Sequence, residues 1–285
     1  MKEKVIRKYS RGLKIGMVIV FVFFLLYAVS LLIPFLWTFL NSLKDWQEYN
    51  GDKFSLPKFW LFSNYVAAFV ELNVNGTDMF GMFFNSLWYT LFGAFFGVAV
   101  STMVAYVVAK FKFPGRNFIY YLALFTMIIP IVGALPSQYK VYNFLGIYDS
   151  PFLILSFCSG FGFNFLVLYS FFRNLSWSYA EAGFIDGAGH FRIFVSVMLP
   201  QAIGAASSLF IVALIAQWND YMGPILFLPS YPTLAAGLYT YQGLSNTDMP
   251  KLFAGTLISI VPILVMFVLF QNTLMNLSVA GGIKE

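Results

Sequence analysis

The chain has 285 residues, of which 60% are hydrophobic and only 10% are charged, and its mean hydropathy is +0.77. A soluble domain of ordinary composition carries about 25% charged residues, so this composition excludes a soluble protein and predicts lipid as a partner. The net charge of +5 is compatible with nucleic-acid binding. The lysines and arginines lie beside apolar stretches, however, which favours membrane topology, and no nucleic-acid partner is predicted.

The N-terminal segment 1–14 holds six lysines and arginines, and an uncharged apolar run follows at 15–40. A signal peptide is the alternative interpretation, but its apolar region has only about 7–15 residues. We therefore predict a cytoplasmic tail at 1–14, a retained first transmembrane helix at 15–40 and an extracytoplasmic loop at 41–82.

Six stretches approach the roughly 20 apolar residues that a helix needs to cross a bilayer. Backbone polar groups in lipid must be satisfied within the segment, so these stretches predict helices and an all-α polytopic protein. Asp220, near the end of the fifth stretch, is the one charged residue in them. The predicted spans are 15–40, 83–109, 118–135, 151–172, 199–221 and 252–274.

The lysines and arginines are distributed unequally between the two sides of these spans. With the N-terminus inside, twelve fall in the inner segments and five in the outer ones. Cytoplasmic loops are enriched in these cations, so both termini are predicted to be cytoplasmic in a multi-pass plasma-membrane protein. The five outer cations are Lys44, Lys53, Lys58, Lys140 and Lys251.

The second predicted span carries a small residue at every fourth position, which lets another helix approach its backbone closely. We expect this seam to pack against a helix of the same chain or of a partner. Its members are Gly93, Gly97, Ser101, Ala105 and Ala109.

The loop at 176–198, between the fourth and fifth predicted spans, is interrupted by charged residues and glycines. Ser178 and Glu181 have the S-x-x-E spacing of a capping box, which predicts a short helix starting there. Pro200 then opens the fifth span, where a proline is tolerated. A short helix of this kind either docks into a partner's groove or lies on the lipid surface, and its local chemistry does not separate the two.

The same loop resembles the EAA loop of binding-protein-dependent ABC importer permeases. That pattern is E-A-A, three residues, G, nine residues, I, any residue, L-P, and the spacing here matches it throughout, with glycine replacing the third alanine and valine replacing isoleucine. Residues 217–224 and the C-terminus are similar to the carbohydrate (maltose G-like) group, so the likeness covers the whole chain. The matching residues are Glu181, Ala182, Gly183, Gly187, Val197, Leu199 and Pro200.

The resemblance implies the type I ABC importer permease (MetI-like) fold in the bacterial inner membrane, with a permease core at 83–275 and a cytoplasmic tail at 276–285. It implies import of a sugar or oligosaccharide, with a second homologous permease subunit, an extracytoplasmic solute-binding protein, and two ATPase subunits that bind ATP and Mg. The tail would reach the interface between the ATPases. The residues implied to couple to them are Glu181, Ala182, Gly183, Asp186, Gly187, Ala188, Gly189, Leu199 and Pro200.

Other functions remain as alternatives. An ABC permease for a non-sugar solute would share these features. A proton-coupled carrier is disfavoured because the span interiors lack the ionisable residues that such carriers use, whereas a sodium-coupled carrier could still use backbone carbonyls and hydroxyls. An intramembrane enzyme is disfavoured because the sequence has one histidine, His190, one cysteine, Cys158, and no H-E-x-x-H or G-x-S-x-G motif. We therefore predict no catalytic residue, no metal site and no cofactor in this chain, which also lacks a phosphate-binding G-x-x-x-x-G-K-[ST] loop.

Polar residues within the spans are candidates to line a solute pathway. Each could equally form hydrogen bonds between helices, which is their commoner role, and Asn219 and Asp220 could be structural at the end of the fifth helix. The candidates are Asn85, Asn164, Gln217 and Asn219.

Overall fold

The computed structural model of the chain describes residues 11–128, 133–244 and 247–280, with side chains up to residue 271. The predicted tails at 1–14 and 276–285 therefore lie largely outside the described residues. In the described part the regular structure is helical, apart from an isolated antiparallel bridge between Val74 and Thr77. This agrees with the predicted all-α class.

The helices of the first half are α1 (Arg11–Ser42), α2 (Trp46–Gly51), α3 (Ser63–Glu71), α4 (Met79–Lys110), α5 (Arg116–Ile128) and α6 (Leu135–Phe144). A 3₁₀ turn at Pro151–Phe157 precedes α7 (Phe163–Asn174), α8 (Ser178–Ile185) and α9 (His190–Ile193). A π turn at Phe194–Met198 then leads into α10 (Leu199–Trp218), α11 (Met222–Phe227), α12 (Leu234–Gln242) and α13 (Met249–Ala280).

Four helical segments in the described part of the chain are long and apolar enough to cross a membrane: Gly12–Ser42, Met79–Lys110, His190–Trp218 and Met249–Gln271. They correspond to the first, second, fifth and sixth predicted spans. The third predicted span is described as the 13-residue α5, and the remainder of it includes 129–132, outside the described residues.

The fourth predicted span, 151–172, is not one continuous helix. Helical conformation is interrupted at Gly160 and Gly162, whose φ angles are +68° and +106°, and these glycines separate the 3₁₀ turn from the 12-residue α7. Side-chain-bearing residues rarely adopt such angles, whereas glycine does so at little cost. The prediction of a single continuous span at 151–172 is therefore wrong for the backbone, because apolar composition does not reveal where the chain turns.

The long α4 is the centre of the bundle. Its first turn is capped by Asp78, whose Oδ1 accepts a hydrogen bond from the Gly81 N–H at 2.7 Å. Its seam of small residues faces α7, the 3₁₀ turn and α10, and Gly93, Ser101 and Ala105 are buried there. The seam predicted from the sequence is therefore a contact within the chain.

Of three buried apolar clusters in the described residues, two lie at opposite ends of this bundle. One is built by α4, α7, α9 and α10 around fully buried Phe165, Phe172 and Met198. The other joins α3, α4, α12 and α13 around Leu72 and Met79. The first α-helix packs along one side on α13 and leaves the rest of its apolar surface exposed.

Candidate functional site

The loop predicted to carry function folds as a helical hairpin, in which α8 and α9 are joined by a tight turn at 186–189; we call residues 178–193 the α8–α9 hairpin. The turn depends on Gly187, whose φ is +79°. The Ala188 N–H donates to the Gly183 carbonyl at 3.0 Å, and the Ile193 N–H donates to the Gly189 carbonyl at 3.0 Å. Both limbs are therefore fixed by backbone hydrogen bonds.

The capping box predicted at Ser178 is wrong. The residue in the cap position is Trp177, which has helical backbone angles and no side-chain capping bond, and Ser178 is the first residue of α8. The Ser178 N–H instead donates to the Ser176 Oγ at 3.3 Å, and the two hydroxyl oxygens lie 2.7 Å apart. The Ser178 hydroxyl, which the motif predicts to cap α8, is therefore paired with the Ser176 hydroxyl instead.

The two limbs approach each other most closely at Gly183. A Cβ atom at this position would lie 3.0 Å from Cγ1 and 3.4 Å from Cδ1 of Ile193, a side chain that is fully buried. Hard-sphere contacts at 3.0 Å are tighter than packed carbons tolerate. The EAA pattern has alanine at this position, and the glycine found here thus allows α8 to pack closely against α9.

The outward face of the α8–α9 hairpin is open to solvent. Glu181, Ala182, Asp186, Gly187 and Gly189 are exposed, whereas Gly183 and Ala188 are half-buried against the core.

Two apolar side chains that the sequence reasoning did not single out are also exposed on the hairpin, Ile185 at 86% and Phe191 at 77%. Apolar residues inside a loop interrupted by charges were the signal that could have identified them. A hairpin with fixed backbone, exposed carboxylates and exposed apolar side chains has the character of a protein-binding surface.

Four aromatic rings connect the α8–α9 hairpin to the end of α4. The His190 ring lies 4.9 Å from that of Phe184 and 5.5 Å from that of Phe111, centroid to centroid, both edge-to-face. The Trp177 ring is 6.0 Å from Phe111 and 6.2 Å from Phe184. Just before Phe111, the Lys110 ammonium donates a hydrogen bond to the Leu175 carbonyl. The hairpin is therefore packed onto α4 as well as onto its own flanking helices.

Pro200 lies in the first turn of α10, as the sequence predicted, but α10 is not where the helical path begins. The helical path already runs from His190 to Trp218, and Pro200 lies within it, exposed, with Leu199 half-buried against the core. The π turn provides the reason, because the Leu199 N–H donates to the Phe194 carbonyl five residues earlier. A widened turn relieves the clash that a proline ring makes with the preceding turn.

The four predicted pathway residues have different hydrogen-bond partners and surroundings. Asn85 donates from Nδ2 to the Pro232 carbonyl at 3.1 Å, and Asn219 donates from Nδ2 to the Ile215 carbonyl at 2.8 Å. Asn164 is half-buried in the first turn of α7. Gln217 lies on α10 with its Oε1 atom buried against Gly93 of α4.

A polar contact near Gln217 joins α4 to the loop after α10. The Tyr89 hydroxyl donates to Asp220 Oδ2 at 2.9 Å, and the Gly223 N–H donates to Asp220 Oδ1 at 3.0 Å. Sequence reasoning considered Asp220 as structural at the helix end and did not identify Tyr89, which lies more than a hundred residues away in the chain. The carboxylate thus fixes the far end of α10 onto α4.

Among the described residues, no group of three or more histidine, cysteine, aspartate or glutamate side chains could hold a metal ion.

Comparison with known proteins gives a consistent result. Residues 97–273 match the family model described as binding-protein-dependent transport system inner membrane component. The chain is 32% identical to the diacetylchitobiose uptake system permease protein NgcG of Streptomyces coelicolor, over 92% of this chain and 85% of that protein. It is 28% identical to the arabinooligosaccharides transport system permease protein AraQ of Bacillus subtilis, over 92% and 94%.

Among solved structures, the fold is similar to a chain from a crystal structure of a bacterial ABC transporter involved in the import of the acidic polysaccharide alginate. The TM-score is 0.78 at 24% identity, and the superposition covers 93% of this chain and 98% of that one.

Proposed function

Because this chain belongs to the family of binding-protein-dependent transport system inner membrane components, we propose that it is the permease subunit of an ATP-driven importer for a sugar or oligosaccharide. Relatives along nearly the whole chain are named for diacetylchitobiose and arabinooligosaccharide transport, which supports a carbohydrate substrate. In this proposal the chain forms half of the pathway, and a second homologous permease forms the other half.

The α8–α9 hairpin is the proposed coupling element, and its geometry is the observation that carries the mechanism. Its outward face offers Glu181, Asp186, Ile185 and Phe191 to a partner, while Ile193 and the aromatic contact to Phe111 hold its inward face against the bundle. A groove in an ATPase subunit is the proposed partner. ATP and Mg would bind to two such subunits and not to this chain.

Transport then requires that the docking differ between two states of the ATPase pair, because a ligand shifts a conformational equilibrium only through differential binding. Movement of the hairpin reaches α4 through Phe111 and Lys110, and reaches α10 through the continuous helical path from His190 to Trp218. Both helices meet again at the other end through Tyr89 and Asp220. The bundle is thus suited to move as a rigid unit when the hairpin moves.

The proposed topology places the hairpin and both termini in the cytoplasm of a bacterium, and the 41–82 loop outside. It rests on the excess of lysine and arginine in the tail and in the loops on the hairpin side. An extracytoplasmic solute-binding protein would deliver the sugar on the opposite side.

The test is to reverse one exposed charge on the hairpin. The importer is purified in mild detergent with its associated subunits, identified by mass spectrometry, and reconstituted into vesicles. We expect Glu181→Lys to abolish ATP-driven sugar uptake while the protein still inserts, since a carboxylate on the docking face becomes a cation.

The matched control is Glu71→Lys at the other end of the bundle, where an exposed glutamate pairs with Lys251 and a surface ion pair contributes little. It should keep uptake near the wild-type rate. Normal uptake by Glu181→Lys, or uptake by this chain without any ATPase subunit, would refute the proposal.

A further inference from the structure

The segment that follows α1 forms a closed loop of residues 44–60, which we call the excursion. The Leu61 N–H donates to the Leu43 carbonyl at 2.9 Å, which closes this loop. Inside it, the fully buried Lys44 donates from Nζ to the Asp52 carbonyl at 2.9 Å. The Lys58 N–H donates to Glu48 Oε1 at 2.7 Å. The excursion therefore has a fixed conformation.

A second set of contacts ties this excursion to the end of α1. The Asn64 Nδ2 group is buried and donates to the carbonyls of Ser42 and Lys44, both at 2.8 Å. The Ser42 and Tyr65 hydroxyls lie 2.8 Å apart. Any movement of the excursion relative to α1 would leave these buried groups without partners, which is costly.

Despite this fixed backbone, the excursion exposes large apolar side chains. We call them the apolar lip: Phe54 (85% exposed), Leu56 (68%), Phe59 (75%), Trp60 (54%) and Phe62 (60%). Contiguous exposed apolar side chains mark a surface that is covered by another apolar phase or by a partner.

Phe54, the first residue of the apolar lip, lies beside the membrane helix and does not project beyond its end. The rings of Phe54 and Trp37 are 6.3 Å apart. Trp37 precedes the end of α1 at Ser42 by five residues, or about 7.5 Å at 1.5 Å per residue. Phe54 therefore reaches back along α1, where the neighbouring side chains Phe35 and Leu36 are themselves exposed at 54% and 59%.

The charges around the apolar lip match a lipid headgroup layer. Residues 53–62 contain Lys53 and Lys58 and no acidic residue. The acidic residues that precede them in the loop accept backbone hydrogen bonds within it: Asp45 from Gln47, Glu48 from Lys58 and Asp52 from Phe54. Lys53 Nζ lies 5.4 Å from the centroid of the Tyr49 ring, so the Lys53 side chain extends over this ring. Aromatic side chains at the edge of the hydrocarbon, with lysines extending to the phosphates, anchor proteins at a membrane interface.

We propose that the apolar lip inserts into the leaflet at the carboxyl end of α1, with Lys53 and Lys58 at the level of the phospholipid phosphates. The occupant is lipid because the lip continues the exposed apolar surface of α1 and because both of its charges are cationic. This anchoring goes beyond the proposed transport function and does not depend on the solute. It would hold the end of α1 at a fixed depth while the rest of the bundle moves.

The test uses spin labels on the assembled importer in vesicles that contain anionic phospholipid. Cys158 is replaced by serine, a single cysteine is introduced by Phe59→Cys or Leu56→Cys, and Asn50→Cys in the exposed α2 is the control for water. Accessibility to oxygen and to a water-soluble nickel chelate is measured, with spin-labelled phospholipids as the depth calibration. ATP-driven uptake of each labelled importer checks its assembly.

We expect the labels at 59 and 56 to be at least severalfold more accessible to oxygen than to the nickel chelate, and the label at 50 to show the reverse. High nickel accessibility at both lip positions would mean that the lip lies in water. Low accessibility to both reagents would mean that a protein covers the lip. That protein is the solute-binding protein if the signal changes when the solute-binding protein is added, and otherwise the second permease. Each of these last results would overturn the proposal.

Discussion

Ile193 fills the space that a side chain on Gly183 would need, with its Cγ1 atom 3.0 Å from the position of a Cβ at residue 183. This contact sets the angle between the two limbs of the α8–α9 hairpin, and so sets how far α8 stands out from the bundle. The exposed face that we propose for coupling therefore depends on a buried contact behind it.

The first prediction concerns the size of residue 183. Gly183→Ala should have a small effect, because relieving the contact with Cγ1 needs a shift of only a few tenths of an ångström between the two limbs, whereas Gly183→Val should force the limbs apart and cost about 1–3 kcal/mol by overpacking. Thermal stability of the detergent-solubilised protein and ATP-driven uptake measure this. Ile193→Ala, which removes both Cγ1 and Cδ1, should partly rescue Gly183→Val, and failure of both alanine and valine at 183 to have any effect would show that the contact is unimportant.

The second prediction concerns the exposed apolar residues of the hairpin. Ile185→Ser and Phe191→Ser should weaken binding of the ATPase subunit by at least about 2 kcal/mol each, or roughly 30-fold, if these residues are central anchors of the interface. Affinity is measured with the purified permease in nanodiscs. Phe144→Ser is the matched control, because Phe144 is 90% exposed but lies away from the hairpin, and equal effects of all three would argue against a specific docking surface.

The third prediction concerns His190. Because its ring packs edge-to-face on Phe184 and Phe111, we expect His190→Phe to preserve coupling. His190→Ala should lose two ring contacts, worth about 0.5–1.5 kcal/mol each. The number of sugars transported per ATP hydrolysed is the measurement. A loss in His190→Phe as large as that in His190→Ala would mean that the imidazole nitrogens themselves matter.

The fourth prediction concerns the contact between Tyr89 and Asp220. Tyr89→Phe removes the hydroxyl that donates to the carboxylate at 2.9 Å, so it should destabilise the bundle by about 0.6 kcal/mol and by no more than about 1.7 kcal/mol, the average and the maximum for hydrogen bonds between membrane helices. A double-mutant cycle with Asp220→Asn, followed by unfolding in detergent, gives the interaction energy. Tyr179→Phe, at a half-exposed tyrosine on the hairpin, should be neutral, and additive effects in the cycle would show that the pair is not coupled.

The positions of the membrane helices were largely predictable because they depend on composition alone. A long apolar stretch without charge has few stable alternatives to a helix in lipid, and α1, α4, α10 and α13 lie where the sequence predicted spans. The loop of residues 176–198 was also identified from spacing, since the glycines that make its turn must occupy fixed positions along the chain. The helix does start at Ser178, as predicted, but the capping box was wrong because Trp177 takes the cap position and the Ser178 hydroxyl lies against Ser176 instead.

The sequence by itself determined that this chain uses lipid as its solvent, that its regular structure is helical and that one polar hairpin interrupts its apolar spans. These are local properties, set by hydropathy and by short-range spacing. Only the tertiary structure decided that the fourth span breaks at Gly160 and Gly162, that a π turn carries the helical path past Pro200, and that Tyr89 meets Asp220. These features depend on which helices pack together, and side chains far apart in the chain become neighbours only once the bundle has formed.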